Sequence, residues 1–362
     1  MSSGHNPKAR LGQTLQEAAE SSANFSIADG PALPVVNFAA VGKSPPSVLA
    51  TPAGRLPKAS AVIITWASAE WAALQHVFCA GSTSMPYSDR ARGTWPGWEK
   101  YSANLPAGAP ASWTYWGYYE LVQIGGNPVL LFKSNTHLDW PGPTYLKALI
   151  ALLIKEVSPN LILSVGTAGG AKPQYHVGTV RTVSAGTLFE TGQPQANWPE
   201  YQNSWKAANT LLAHANFNKL LFPVPTRDAD LQTLCSQFNQ QYGSHYTFAQ
   251  LDPAGLAMAN PSPQIDNQTG GGTSLLTAST FVVGSTSGTY QSFACIEMDD
   301  AIIGEACAAS RTPYGFVRNL SDPAQSAALP PKVQGNWGSA VYDAYGLYTS
   351  YNGAVAAWAM LA

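Results

Sequence analysis

One stretch near the middle of the chain restricts the fold more than any other. Between Pro143 and Val157, Leu146, Leu149, Ile150, Leu153 and Ile154 recur at helical spacing, with proline in the first turn. Leu161-Ile-Leu-Ser-Val165 then reads as a buried strand, and it runs straight into Gly166-Thr-Ala-Gly-Gly170. A helix feeding a buried strand that opens into a glycine loop is α/β grammar, in which ligands collect at the C-terminal ends of strands. The same grammar occurs upstream. Ala61-Val-Ile-Ile-Thr65 is an apolar run of strand length, and Ser68 to Phe78 follows as a helix with Trp71, Leu74, Val77 and Phe78 on one face and Ser68 as candidate N-cap.

Around these anchors the remaining elements fall into order. Trp116 to Ile124 and Pro128 to Lys133 flank Gly125-Gly-Asn127, which predicts a β-hairpin. Val177 to Thr187 and Leu275 to Gly284 read as strands, and Phe293 to Ile296 as a strand before a helix over Met298 to Ser310. Tyr314 to Leu320 is a further strand, and a last helix falls within Trp337 to Ala362. Residues 1–58, rich in alanine, serine and proline without an apolar period, read as an N-terminal extension or arm to a catalytic domain at 59–362. Residues 190–272, polar with one helix near Asp228 to Tyr242, read as an insertion in that domain.

Composition removes several classes of function. Nineteen Lys and Arg against twenty-one Asp and Glu, a formal net charge of −2, supply no basic field for nucleic acid or an anionic membrane. The most apolar stretch, from Leu146, is broken by Lys147, Lys155, Glu156 and Pro159, so no membrane-spanning helix is expected. Residues 1–39 lack a compact apolar segment of signal-peptide type. Cys79, Cys235, Cys295 and Cys307 are widely spaced without a C-x-x-C pair and read as free thiols, with no metal site and no cofactor expected. A soluble, cytoplasmic protein follows as the expectation.

Several clusters carry chemistry, and each has an ordinary structural reading beside it. The glycines of 166–170 suit either a tight turn or a ligand loop. Glu297-Met-Asp-Asp300 places three carboxylates in four residues ahead of an apolar helix, where a cap needs only one. Arg318-Asn-Leu-Ser-Asp322 sets a cation and an acid at a strand end, which a salt bridge would also explain. Glu70 suits the first turn of its helix. His137 and His176 are read as structural or surface histidines.

Taken in order, these segments resemble the nucleoside phosphorylase and nucleosidase superfamily, in motif above all the 5'-methylthioadenosine/S-adenosylhomocysteine nucleosidases. The most specific part is Glu297-Met-Asp-Asp-Ala-Ile-Ile-Gly-Glu-Ala-Cys307 followed by Pro313-Tyr-Gly-Phe-Val-Arg-Asn-Leu-Ser-Asp322, similar to that family's E-M-E-x-x-A and P-F-x-x-x-R-x-x-S-D pattern. Val165-Gly-Thr-Ala-Gly-Gly170 and Val177-Gly-Thr-Val180 add to it. The resemblance implies a three-layer phosphorylase/hydrolase-like α/β fold with a central mixed sheet flanked by helices, and a homo-oligomer acting on a small-molecule nucleoside.

It also implies roles. Asp322 corresponds to the acid that protonates N7 of a purine, with Ser321 orienting it. Glu70 corresponds to the group that positions or deprotonates the attacking water, with Thr167 and Arg318, beside Gly169 of the glycine segment. Asp299 and Glu297 resemble the acids that grip the ribose hydroxyls, Met298 lies against the sugar face, and Phe281 stacks on the base with the Val282 backbone at its edge. Phosphorylases of the superfamily carry arginine just before their V-G-T loop, where this chain has Ser164. Hydrolysis of a purine-type nucleoside to free base and sugar is therefore the expected activity, with phosphorolysis or nucleoside binding without catalysis as the alternatives. Trp140-Pro-Gly-Pro143 replaces a glycine-rich turn, and Asp299 is one methylene shorter than the usual Glu, so the sugar pocket is expected to be reshaped.

Overall fold

The computed structural model describes residues 30–79, 96–138, 140–170, 176–183, 185–188, 194–197, 200–202, 211–253, 265–267, 275–278, 290, 292–323 and 326–362. Its strands are β1 (Ser47–Val48), β2 (Ala61–Thr65), β3 (Glu99–Tyr101), β4 (Gly117–Ile124), β5 (Asn127–Ser134), β6 (Leu161–Gly170) and β7 (Val180–Val183). They continue with β8 (Ala185–Leu188), β9 (Glu200–Gln202), β10 (Ile265–Asn267), β11 (Leu275–Thr277), β12 (Cys295–Glu297) and β13 (Tyr314–Asp322). Helices α1 (Ser68–Leu74), α2 (Pro143–Val157), α3 (Asp228–Tyr242), α4 (Phe248–Leu251), α5 (Asp300–Ala309) and α6 (Pro331–Leu361) complete the described elements.

Among the described residues all thirteen strands join one mixed sheet, with a path β1-β4-β5-β2-β6-β12-β11-β8-β9, β3 pairing with β4, and β13, β7 and β10 branching from β6. At its centre β2 pairs in parallel with β5 and β6, and β13 pairs in parallel with β6. The continuous apolar runs of these strands are buried on both faces, as parallel strands covered by helices require. Side-chain alternation then divides the core in two. Ile63, Leu131, Leu163 and Val317 face one layer, packing against Trp71 and Leu74 of α1, Leu231 of α3, and Tyr345 and Val355 of α6. Val62, Ile64, Leu130, Phe132, Ile162 and Phe316 face the other, against Leu149 and Leu153 of α2 and Ile303 and Cys307 of α5. The chain is an α/β protein with helices on both faces of a mixed sheet.

Within the stretch read as an N-terminal extension, Leu33, Val36, Phe38 and Val41 belong to the first core. The Phe38 ring meets the edge of Trp358 at 4.6 Å, and β1 pairs with β4. From the stretch read as an insertion, α3 sends Phe238 to within 5.7 Å of Trp337 in α6, and the Asn352 side chain brackets the Phe222 backbone with two hydrogen bonds of 2.8 Å.

Three expectations need correction. The residues read as a glycine loop are strand: β6 runs unbroken to Gly170, because β13 and β12 supply ladder partners beyond the point where β2 stops. Ser68 is the first helical residue rather than the N-cap, which is Ala67; the backbone N–H of Ala67 is taken instead by the Glu70 carboxylate. The last helix begins at Pro331, earlier than its apolar pattern suggests, since proline serves at the first helical position. No described helix is long and apolar enough to cross a membrane. All four cysteines are unpaired.

Candidate active site

The site forms where the sheet splits. β2 leaves β6 at Ser164, and β12 takes over the vacated edge only at Gly169. In the gap, the backbone N–H and the hydroxyl of Thr167 both donate to Oε1 of Glu70 at 2.7 Å. The other oxygen, Oε2, accepts from the Thr65 hydroxyl at 2.7 Å and from the backbone N–H groups of Trp66 and Ala67 at 2.9 and 2.8 Å. One carboxylate thus accepts five hydrogen bonds, capping α1 and stitching it to β6. A divergence of neighbouring strands at their C-terminal ends is where open α/β sheets bind ligands. Along this part of β6, Thr167 and Gly169 are partly open to solvent while Gly166, Ala168 and Gly170 are buried.

Arg318 fills the floor. Its Nε donates to Asp300 Oδ2 at 2.9 Å, and Nη2 reaches Asp300 Oδ1, the Ser164 hydroxyl at 2.7 Å and Glu297 Oε2 at 3.2 Å. Nη1 points to the Thr167 carbonyl at 3.5 Å, and the guanidinium carbon lies 5.5 Å from the centre of the Trp66 ring. Burial works against the charge of Arg318, but Asp300 and Glu297 outweigh it and hold the group above the ordinary guanidinium range. Gly166 makes room for this arrangement: a Cβ there would collide with Arg318 Nη1 and lie 3.1 Å from Glu70 Oε1.

The acidic cluster divides its labour. Glu297 Oε2 accepts from the backbone N–H groups of Asp299 and Asp300 at 2.6 and 3.0 Å, and Oε1 from the Thr277 hydroxyl, so Glu297 caps α5. Asp300 pairs with Arg318 and accepts from the Ser164 hydroxyl. Asp299 turns the other way, accepting from the Leu138 backbone N–H at 2.9 Å and lying 3.3 Å from His137 Nε2. Burial, then repulsion by Asp300, raises the Glu297 carboxyl to about 7; burial, then repulsion by Glu297, raises Asp299 well above the usual carboxylate range. Met298, between them, is half-buried.

Across β6, Asp322 stands in register with Gly169. A Cβ on Gly169 would lie 3.0 Å from Asp322 Oδ2, so glycine lets that carboxylate approach the strand. Ser321 donates its hydroxyl to Asp322 Oδ1 at 2.8 Å. Burial pushes the Asp322 carboxyl up to about 7, against the opposing effect of the Ser321 hydrogen bond.

Of the residues singled out in the sequence, Glu70, Thr167, Gly169, Glu297, Met298, Asp299, Arg318, Ser321 and Asp322 thus fall on the adjoining ends of β6, β12, β13 and α1. Phe281 and Val282 lie outside the described residues. Two further groups belong here. Asp300 was visible as a member of the acidic triplet, but nothing local distinguishes it from its neighbours. His137, near the expected mouth, reads in the sequence as a structural or surface histidine; its backbone N–H bonds the Trp140 carbonyl at 2.8 Å, and its ring lies 3.3 Å from Asp299.

No curated protein sequence matches the chain. It is similar to the solved 5'-methylthioadenosine/S-adenosylhomocysteine nucleosidase from Neisseria meningitidis, at 12% identity over 83% of this chain and 98% of that one, with a TM-score of 0.45. Futalosine hydrolase of Helicobacter pylori is similar at 9% identity, covering 84% of this chain and 97% of that one, with a TM-score of 0.44. A Colwellia psychrerythraea nucleosidase solved with adenine is similar at 16% identity, covering 83% and 97%, with a TM-score of 0.40. Residues 99–341, about two thirds of the length, match the phosphorylase superfamily, and the chain belongs to that family.

Proposed function

We propose that this protein hydrolyses the N-glycosidic bond of a purine-type nucleoside or a related metabolite, releasing free base and sugar. The observation that carries the reading is the placement of two acids along β6: Glu70 hydrogen-bonded to Thr167, and Asp322 against Gly169, two residues further on. Cleavage of a glycosidic bond develops positive charge on the sugar and negative charge on the base, so it calls for a proton donor at the base and a water-activating group at the sugar.

In this reading Asp322, whose burial holds a proton near neutral pH, donates it to the departing base as the carbon–nitrogen bond breaks. Water adds to the anomeric carbon from the Thr167 side. Because the oxygens of Glu70 are already occupied by donors, the proton leaves water through the Thr167 hydroxyl, whose own hydrogen passes to Glu70 Oε1 over 2.7 Å. Transfer of that proton back to Asp322 restores the starting state.

Water rather than phosphate is favoured by the commitments of Arg318. Its donors are directed to Asp300, Glu297, Ser164 and Thr167, and Ser164 stands where phosphorylases of the family place an arginine. A second reading, nucleoside binding without cleavage, has one observation in its favour: all five hydrogen bonds of Glu70 come from the chain itself. Incubation with a panel of purine nucleosides, with and without phosphate, followed by chromatography, separates the cases. Free sugar formed without phosphate supports hydrolysis, sugar 1-phosphate formed only with phosphate overturns it, and tight binding with no product leaves the second reading.

A further inference from the structure

Beside Thr65, on the neighbouring strand, lies a lysine whose ammonium has no hydrogen-bond partner among the described residues. Lys133 sits at the end of β5, fully buried, and its Nζ meets no hydrogen-bonding atom among the described residues. Its cross-strand partner in β4 is Tyr118 and its neighbour in β2 is Thr65, whose hydroxyl donates to Glu70. Residues in register on neighbouring strands share a face, so Tyr118, Lys133 and Thr65 form a row under α1. Trp71 of α1 closes that row by stacking on Tyr118 at 5.1 Å. Glu70 is the one carboxylate that bears on Lys133 among the described residues.

A wholly buried ammonium is costly unless an opposite charge offsets it. Methionine or leucine would fill the same space in this apolar layer without that cost. Glu70, for its part, makes five hydrogen bonds, none of them to a cation, while Arg318 is engaged by Asp300 and Glu297.

We propose that Lys133 is the positioning residue of Glu70: its buried ammonium supplies the counter-charge that holds the Glu70 carboxylate between β2 and β6 and keeps it able to receive a proton through Thr167. The inference rests on the hydrolytic reading for its catalytic consequence but not for the charge coupling itself. Burial lowers the Lys133 ammonium and the Glu70 charge opposes that fall, leaving the group at about 8, which agrees with such coupling.

The test has two arms. NMR titration of the lysine side chains should show one lysine titrating near 8, about two units below the ordinary lysine value. That resonance should be absent in Lys133→Met and should move lower by roughly one unit in Glu70→Gln, where the counter-charge is gone. Titration of every lysine near 10.4, or a Lys133 resonance that Glu70→Gln leaves in place, would overturn the proposal whatever the enzyme does. In the kinetic arm Lys133→Met should lower kcat by about tenfold with KM little changed and move the acid limb of the pH profile upward, while Lys133→Arg should restore the limb. A kinetically silent Lys133→Met in an active protein would overturn the positioning role. A depressed, Glu70-sensitive lysine in a protein that cleaves no nucleoside would instead support the coupling and refute the hydrolytic reading.

Discussion

Arg318 and Asp300 form a two-pronged ion pair at the floor of the site, Nε to Oδ2 at 2.9 Å and Nη2 to Oδ1, with both side chains buried. Planar guanidinium and carboxylate match in this geometry, and such bidentate pairs are the stronger kind. Its consequence is that the site's arginine is spent on holding β13 to α5. Breaking a buried pair from one side leaves a charge uncompensated, so Asp300→Asn should cost on the order of 3 to 5 kcal/mol in a urea denaturation series. A loss below about 1 kcal/mol would mean that Glu297 and Ser164 alone suffice for Arg318.

Asp322→Asn keeps the shape of the side chain but cannot deliver an acidic proton. Turnover should fall by on the order of 10² to 10⁴ with the fold intact. In the wild type, activity should decline as pH rises through about 7, where burial places the titration of Asp322. Stability follows the same sign. A carboxyl raised in the folded state binds its proton more tightly there than in the unfolded chain, so its contribution is complete below the unfolded value near 3.9 and lost as pH rises through about 7. Unfolding of the two proteins between pH 4 and 8 should therefore show wild type losing ground to Asp322→Asn. Wild-type turnover in a well-folded Asp322→Asn protein would remove the mechanism.

The two glycines of β6 should respond differently to alanine. At Gly166 a methyl group meets Arg318 Nη1 and the Glu70 carboxylate, both pinned by other bonds, so Gly166→Ala should destabilise by about 1 to 3 kcal/mol and nearly abolish activity. At Gly169 the nearest atom is Asp322 Oδ2 at 3.0 Å, the tip of a side chain able to yield by a few tenths of an ångström. Gly169→Ala should fold normally and lose kcat more than KM. Equal effects at the two positions would contradict the different roles assigned here.

Asp299 faces His137 and the Leu138 backbone, so any ligand group reaching that carboxylate would share it with them. If Asp299 grips the ribose, Asp299→Ala should erase discrimination between ribo and 2'-deoxyribonucleosides, and His137→Ala should raise KM more than it lowers kcat. Comparing kcat/KM on the paired substrates checks both. Undiminished ribose preference in Asp299→Ala would place the hydroxyl contacts elsewhere.

Much of this protein could be read one residue window at a time. Ala61–Thr65 and Leu161–Val165 are strands because uninterrupted apolar runs bury both faces of a parallel sheet, and 143–157 is a helix because its leucines recur every three or four residues. The acidic triplet and the Arg-to-Asp stretch stood out as candidate sites, since charged residues seldom crowd beside buried strands, though a helix cap and a salt bridge would also explain them. The division of tasks was not local. Glu297, Asp299 and Asp300 differ in role only because Thr277, His137 and Arg318 approach them from 20, 162 and 18 residues away in the chain. Whether 166–170 is loop or strand depends on which neighbours reach its edge, and Thr65 links Lys133 in β5 to Glu70 in α1 only when β2, β5 and α1 pack. Short-range periodicity specifies elements because backbone and solvent act on every window alike, whereas the ionisation and partnership of a buried group depend on whichever distant charge the folded sheet brings within a few ångströms.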